Sequence, residues 1–431
     1  MEGSGLTFVG SGMRGSMPAR RTPILDSTLQ LALEGYGWLP NRRRRAGGDV
    51  IHARLMGQPT VGLCGPDAAR FFYDEEHIRR HGAIPEPVQA TLFGHGAVHT
   101  LDGESHRHRK EMFVSLMTGE AITRLVDRTI EEWDEAVDSW VPGQPVTLFD
   151  ETSRVITRAV CAWVGLRVKD DDVPALASDL VAMVDGFGTL GPRHWQARLA
   201  RKRREEWAAR LVDEVRRGVA EVEDGSAVDV VARHRGVDGK PLDARIAGVE
   251  LLNVVRPTVA VCWFVAFAAH ALHRWPVFRA RLRSGGAAYT EAFVHEVRRF
   301  YPFAPFVGGR AVKDLSWRGE PIPAHAIVLL DLYGQNHSPQ LWPDPYAFRP
   351  ERFLDREIDP FELIPQGGGD PRTGHRCPGE TTTVALLRAL TPRLAALGHE
   401  VPDQDLSISL TRVPARVTSG FVLTPGHSRL G

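Results

Sequence analysis

Between Met112 and Trp140, apolar side chains recur at Leu116, Ile122, Leu125, Val126, Ile130, Trp133 and Val137. Steps of three and four put them on one face of a helix. The same period predicts helices over residues 151–166, 174–184, 195–222, 244–272, 288–300 and 380–397. Strand-like pieces are short: Val50–Met56, Thr60–Leu63, Ala326–Leu332, and a C-terminal pair around Ile408–Val413 and Val417–Leu423. There is no internal repeat and no long linker. The pattern predicts a mainly α chain, one large helical domain over residues 23–431 with small peripheral β-sheets. Met1–Arg21 is rich in Gly and Ser and lacks the apolar centre of a signal peptide, so residues 1–22 read as a flexible tail.

The longest apolar run, Thr258–Ala269, lies between Arg256 and His270. It is shorter than the roughly 18–20 residues that cross a bilayer, which predicts a buried core helix and no membrane span. Lys and Arg together number 53, and so do Asp and Glu. Neutrality argues against bulk attraction to nucleic acid or anionic membrane. Two basic clusters, Arg42–Arg45 and residues 193–217, read as a solvated loop and a solvated helix face, because no stacking platform accompanies them. The four cysteines, Cys64, Cys161, Cys262 and Cys377, form no C-x-x-C pair. That usage fits a reducing, cytoplasmic setting and offers no zinc spacing.

The chemistry concentrates in residues 364–380, where a glycine-rich loop leads to Cys377 and a helix follows. The spacing predicts Cys377 at the N-cap, Pro378 at the first helical position and Glu380 at the third. Helix-start amides would favour a thiolate, and glycines let the backbone approach a flat ligand. By itself, a lone cysteine in such a loop is usually inert. Upstream, Glu296-Val297-Arg298-Arg299 sets a carboxylate and a guanidinium at i and i+3 on one helix, and Phe348-Arg349-Pro350-Glu351-Arg352-Phe353 follows.

In that order these segments resemble the cytochrome P-450 superfamily: an ExxR pair, a PERF-like segment and a ligating cysteine. The resemblance implies the cytochrome P-450 fold and haem b, with Cys377 as axial thiolate. It implies that Glu296, Arg299 and Arg352 form a buried ion-pair network behind the haem. Two departures stand out. The superfamily's usual Phe seven residues before the cysteine is Asp370 here. The helix that ordinarily carries an acid–alcohol pair reads Leu251-Leu252-Asn253-Val254-Val255-Arg256-Pro257-Thr258.

Arg256 interrupts an apolar run. A buried guanidinium without an anion costs several kcal/mol. Its partner is therefore an internal carboxylate, the solvent or a carboxylate ligand, and Pro257 adds a kink beside it. The Arg-Pro step resembles the hydrogen-peroxide-dependent fatty-acid peroxygenase and decarboxylase branch of the superfamily. Further matching stretches are Leu92–His99, Asp102–His106 with Arg109-Lys110, Ser115–Thr118, Gly191–Trp195, Tyr301–Phe303 and Leu330–His337. This resemblance implies that Arg256 clamps the fatty-acid carboxylate, which then serves as general base and acid in splitting hydrogen peroxide. Oxidation at Cα or Cβ gives 2- or 3-hydroxy fatty acids, or a terminal alkene with carbon dioxide, and no reductase is required. His99 matches a Gln/His position over the haem. Phe93, Pro257, Leu190 and Phe303 would line the acyl channel. His106, Lys110 and His375 would meet the haem propionates. The alternatives are a reductase-dependent monooxygenase and a non-catalytic haem or fatty-acid binding protein.

Overall fold

A computed structural model describes residues 25–426. The tail expected over residues 1–22 lies outside the described residues. The apolar run after residue 244 forms two consecutive helices, Ala244–Val259 and Val261–Arg274. Asp243 starts the first by accepting from the amides of Arg245 and Ile246, at 3.0 and 3.4 Å. These helices form the centre of the molecule. Pro192–Arg216, Leu148–Val164, Glu380–Ala396 and Gly286–Phe300 pack around them. Trp263 is fully buried there, edge-on to Phe149 at 4.7 Å and to Phe303 at 6.1 Å. Each such aromatic contributes about 2–3 kcal/mol by leaving water. The stretch Ala244–Arg274 is apolar and long enough to cross a membrane, but 94% of its most apolar window is buried inside the fold. Its burial makes it a core element.

Several boundaries differ from the periodic reading. The single helix expected over Met112–Trp140 is two, Gly103–Leu116 and Gly119–Ser139. Thr118 is extended between them, and its side chain accepts from the Ala121 amide. Periodicity cannot see this break, because the apolar stripe continues across it. The long basic helix stops at Arg216 rather than residue 222. The cluster Arg42–Arg45 is not a loop but the end of the helix Trp38–Ala46. Nor is all of it solvated: Arg43 lies 3.5 Å from the buried Asp331.

The main sheet has five strands in the order Ile51–Leu55, Gln58–Leu63, Ile327–Asp331, Phe306–Ala311, Ile78–Arg79. Only Gln58–Leu63 and Ile327–Asp331 run parallel, with Val61 opposite Val328. Of the expected C-terminal pair of strands, Ile408–Val413 and Val417–Leu423 share one bridge, between Ile408 and Val417. Pro414 lies between those two segments and supplies no amide proton to a ladder. The true C-terminal strand, Val422–Pro425, pairs instead with Val146–Thr147 and His399–Glu400.

Candidate active site

A cavity of about 300 Å³ lies between the central helix and the Cys377 loop. Leu92, Phe93, Val98 and His99 close one side, and Phe264 and Phe303 another. Cys377 lines this cavity, whereas Cys64, Cys161 and Cys262 are buried elsewhere. The following helix starts later than the sequence predicts. Gly379 is its N-cap and Glu380 its first residue, so Cys377 and Pro378 belong to the loop. The Cys377 amide donates to the Gln366 carbonyl at 3.2 Å, and the Gln366 side-chain amide lies 3.9 Å from Sγ. Burial raises the thiol's pKa. Glu380 adds to this, while the Gly379 amide, Lys110 and Arg256 oppose it. Gly367 takes φ +93°, and a Cβ there would sit 2.6 Å from the Tyr73 hydroxyl. Only glycine lets the loop pass this close to its neighbour.

Arg256 and Pro257 face the cavity from the central helix. Pro257 has no amide proton to give to Asn253, and the helix breaks three residues later at Ala260. Arg256 is 6% exposed. Its Nη2 donates to Asn253 Oδ1 at 3.2 Å, and its Nε is buried with no partner. Among the described residues no carboxylate lies within ion-pair distance of it, so neither an internal acid nor solvent neutralises the charge. Burial, with Arg201 nearby, pushes its pKa down to about 9. Thr258 also lines the cavity, but its hydroxyl donates to the Val254 carbonyl at 2.9 Å. His99 stands opposite on the short turn Val98–Thr100, its ring 4.3 Å from that of Phe93. Burial and the Arg256 charge hold its pKa well below the usual value, which leaves a neutral imidazole with Nδ1 unpartnered.

At the opposite end, His106 and Lys110 project from one turn of the helix Gly103–Leu116. The His106 ring stacks on His375 at 3.8 Å. His106 Nδ1 and His375 Nε2 are buried without a hydrogen bond. Burial lowers the pKa of His106 to about 4 and that of Lys110 to about 8. Lys110 Nζ donates to the carbonyls of Gly374 and Arg376, at 2.7 and 2.6 Å, and so ties this helix to the Cys377 loop. A thiol at one wall, imidazole nitrogens without hydrogen bonds and a lysine at the rim, and an apolar interior fit a flat metal-bearing macrocycle with acidic side chains.

Behind the loop, Glu296 and Arg299 are both fully buried. Arg299 Nε and Nη2 donate to the two Glu296 oxygens at 2.7 and 2.8 Å. Arg352 Nε lies 3.2 Å from Glu296 Oε2, and the Arg349 amide donates to Oε1 at 2.7 Å. Glu380 pairs in turn with Arg298 and Arg376, which fastens the Cys377 loop to the helix Gly286–Phe300.

Leu190 does not line the channel. It is 81% exposed, and Val184 and Phe187 from the preceding segment face the cavity instead. The loop after residue 187 turns outward, a direction that hydrophobicity alone does not specify. Motif reading passed over Asn253, Glu250 and Gln366. The first two lie at successive steps of three before Arg256, and that spacing was the available signal.

The cytochrome P-450 family model matches residues 287–385, which hold the ExxR helix and the Cys377 loop. Superposition on P450SP alpha gives a TM-score of 0.90 at 43% identity, over 93% of this chain and 98% of that one. P450EX alpha, solved with myristic acid, gives 0.90 at 38% identity, over 94% and 97%. A variant of cytochrome P-450 OleT in complex with arachidonic acid gives 0.89 at 35%, over 93% and 96%. Among curated sequences, cyclooctat-9-en-7-ol 5-monooxygenase of Streptomyces melanosporofaciens is 22% identical over 408 residues, which is 85% of this chain and 86% of that protein. The chain belongs to the cytochrome P-450 superfamily and carries a thiolate-ligated haem. Within the superfamily it falls in the fatty-acid peroxygenase branch, with P450SP alpha, P450EX alpha and OleT.

Proposed function

We propose that residues 23–431 act as one haem-thiolate peroxygenase unit in which Arg256 clamps a fatty-acid carboxylate. The observation that carries this reading is the buried Arg256 guanidinium with an amide oxygen, and no carboxylate, as its neighbour. Cys377 would hold the haem iron, and His106, Lys110 and His375 would face the propionates. Haem bound there supplies the redox chemistry by which hydrogen peroxide is consumed and an oxygen atom enters a C–H bond, or carbon dioxide is lost.

The chain's own residues do the rest. The Arg256 guanidinium would meet the two carboxylate oxygens with a pair of its N–H groups, the geometry in which guanidinium binds best. It holds the acid group where that group takes and returns the proton of hydrogen peroxide. On the central helix neither the acid nor the alcohol is free to take that part. Glu250 is paired with Arg109, and the Thr258 proton is held by Val254. Phe93, Phe264 and Phe303 exclude water around the acyl chain. Clamping one end leaves Cα and Cβ as the carbons nearest the reacting centre, so oxidation falls there. His99, neutral and unpartnered at Nδ1, is placed to accept or donate a proton beside the clamped acid. With its own proton relayed by the substrate carboxylate and its oxygen already reduced to the peroxide level, hydrogen peroxide suffices and no reductase is required.

The test incubates purified holoenzyme with hydrogen peroxide and a saturated long-chain fatty acid or the matching fatty alcohol. The acid is expected to yield 2- or 3-hydroxy acids or a terminal alkene, and the alcohol nothing. Equal turnover of both, or turnover only with NAD(P)H and a reductase, overturns the reading. In the same assay His99→Gln is expected to move the alkene-to-hydroxy-acid ratio by about 2–10-fold, the worth of one hydrogen bond. An unchanged ratio removes His99 from product control.

A further inference from the structure

We propose that Glu250, compensated by Arg109, is a positioning residue that sets the orientation of the Asn253 amide and thereby keeps Arg256 open to its ligand. This deepens the clamp reading and rests on it. Glu250 is fully buried and lies on the central helix, two steps of three before Arg256. Arg109 Nη1 donates to Glu250 Oε1 at 2.8 Å, and so does the Val98 amide, also at 2.8 Å. Oε2 accepts from Asn253 Nδ2 at 3.2 Å. The second acceptor for Nδ2 is the Phe93 carbonyl, at 2.9 Å.

An asparagine amide has two N–H donors on one side and a carbonyl on the other. Here both donors are taken, by Glu250 and Phe93. The oxygen is thereby forced toward Arg256, whose Nη2 meets it at 3.2 Å. The flipped amide would aim its donors at the guanidinium and its oxygen at a carboxylate, making both contacts repulsive. A neutral carbonyl steadies one edge of Arg256 without cancelling its charge. Arg109, with a side chain only 11% exposed, neutralises Glu250, so the carboxylate does not draw Arg256 away from the cavity. Directly through the Val98 amide, and through Asn253 to the Phe93 carbonyl, the same carboxylate fastens the segment that carries His99 to the helix that carries Arg256. Clamp and opposing wall are thus registered on one buried group.

A second buried pair offers a control. Arg201 donates to the carbonyls of Leu92 and Phe93, each at 3.0 Å, and pairs with Glu205 at 2.6 Å, with no contact to Asn253. It secures the same segment and shares the Phe93 carbonyl with Asn253, but does not touch the amide itself or the Glu250 carboxylate.

The experiment compares the holoenzymes of Glu250→Gln, Asn253→Ala, Glu205→Gln and Arg256→Leu. Haem content and the ferrous carbonyl spectrum are read first, then the fatty-acid Kd by calorimetry, then the ratio of Cα to Cβ products. Glu250→Gln retains the side chain's shape but presents a donor where an acceptor is needed. It is expected to load haem normally, weaken fatty-acid binding by about 5–20-fold and shift the product ratio. Asn253→Ala leaves the Glu250–Arg109 pair intact and is expected to move the same readouts in the same direction, which covers a Glu250→Gln protein that fails to fold. Glu205→Gln is expected to leave the product ratio unchanged. Unaltered binding in Glu250→Gln or Asn253→Ala, or an equal shift in Glu205→Gln, overturns the proposal. Undiminished acid binding in Arg256→Leu sinks the clamp itself. Normal Glu250→Gln beside a disabled Arg256→Leu sinks only the positioning role.

Discussion

Arg256→Leu is expected to lower peroxide-driven fatty-acid oxidation by about 10²–10⁴-fold, the equivalent of about 3–5 kcal/mol for losing one partner of a desolvated charge pair. The same change is expected to make the substrate-free protein more stable. In the absence of substrate the guanidinium is buried, its Nε has no partner, and its pKa is pushed down to about 9. A base whose pKa falls on folding opposes folding while it is charged, so at neutral pH Arg256 weakens the folded state. Leucine removes that cost and fills apolar volume, for a gain of about 1–3 kcal/mol. In a chain of this length that raises Tm by about 1–3 °C. Calorimetric Tm of the substrate-free holoenzyme and turnover of a saturated fatty acid check the two halves together. A lower Tm with lost activity would mean that Arg256 supports the fold. Retained activity would mean that the carboxylate is bound elsewhere.

Glu296→Gln carries the second large effect, on folding rather than turnover. One buried carboxylate serves Arg299, Arg352 and the Arg349 amide. Neutralising it leaves guanidinium charge inside the protein without a counter-ion. The expected loss is about 3–5 kcal/mol, read as a lower urea midpoint and as protein recovered poor in haem. The exposed pair Arg349–Asp344, at 3.2 Å, is the comparison. Solvent screens it, so Asp344→Asn is expected to change stability by no more than about 0.5 kcal/mol. Equal losses from both substitutions would show that burial does not set the worth of the network.

These two cases show where reading the chain succeeds and where it stops. The Glu296–Arg299 pair, the PERF-like segment and the Cys377 loop are short-range patterns, and their spacing carries the chemistry they perform. The helical periods were equally legible, because each records which face meets the core. Boundaries were not. An apolar stripe runs unbroken through Thr118, where backbone capping ends one helix and begins the next. Gly379 rather than Cys377 starts the last long helix, since a loop held by Lys110, Gln366 and Glu380 keeps the cysteine outside it.

By itself, then, the sequence determined a mainly helical haem-thiolate enzyme of this family, with Cys377 and Arg256 as its chemical landmarks. Only the tertiary structure decided what surrounds Arg256: no acid in range among the described residues, an amide turned toward it, and a carboxylate at 250 already paired with Arg109. It also turned Leu190 out to solvent and set His99 against Phe93. The reason is physical. Spacing along a chain fixes which side chains share a turn, whereas desolvation and the choice of counter-ion depend on segments more than a hundred residues apart, such as Arg109 and Glu250.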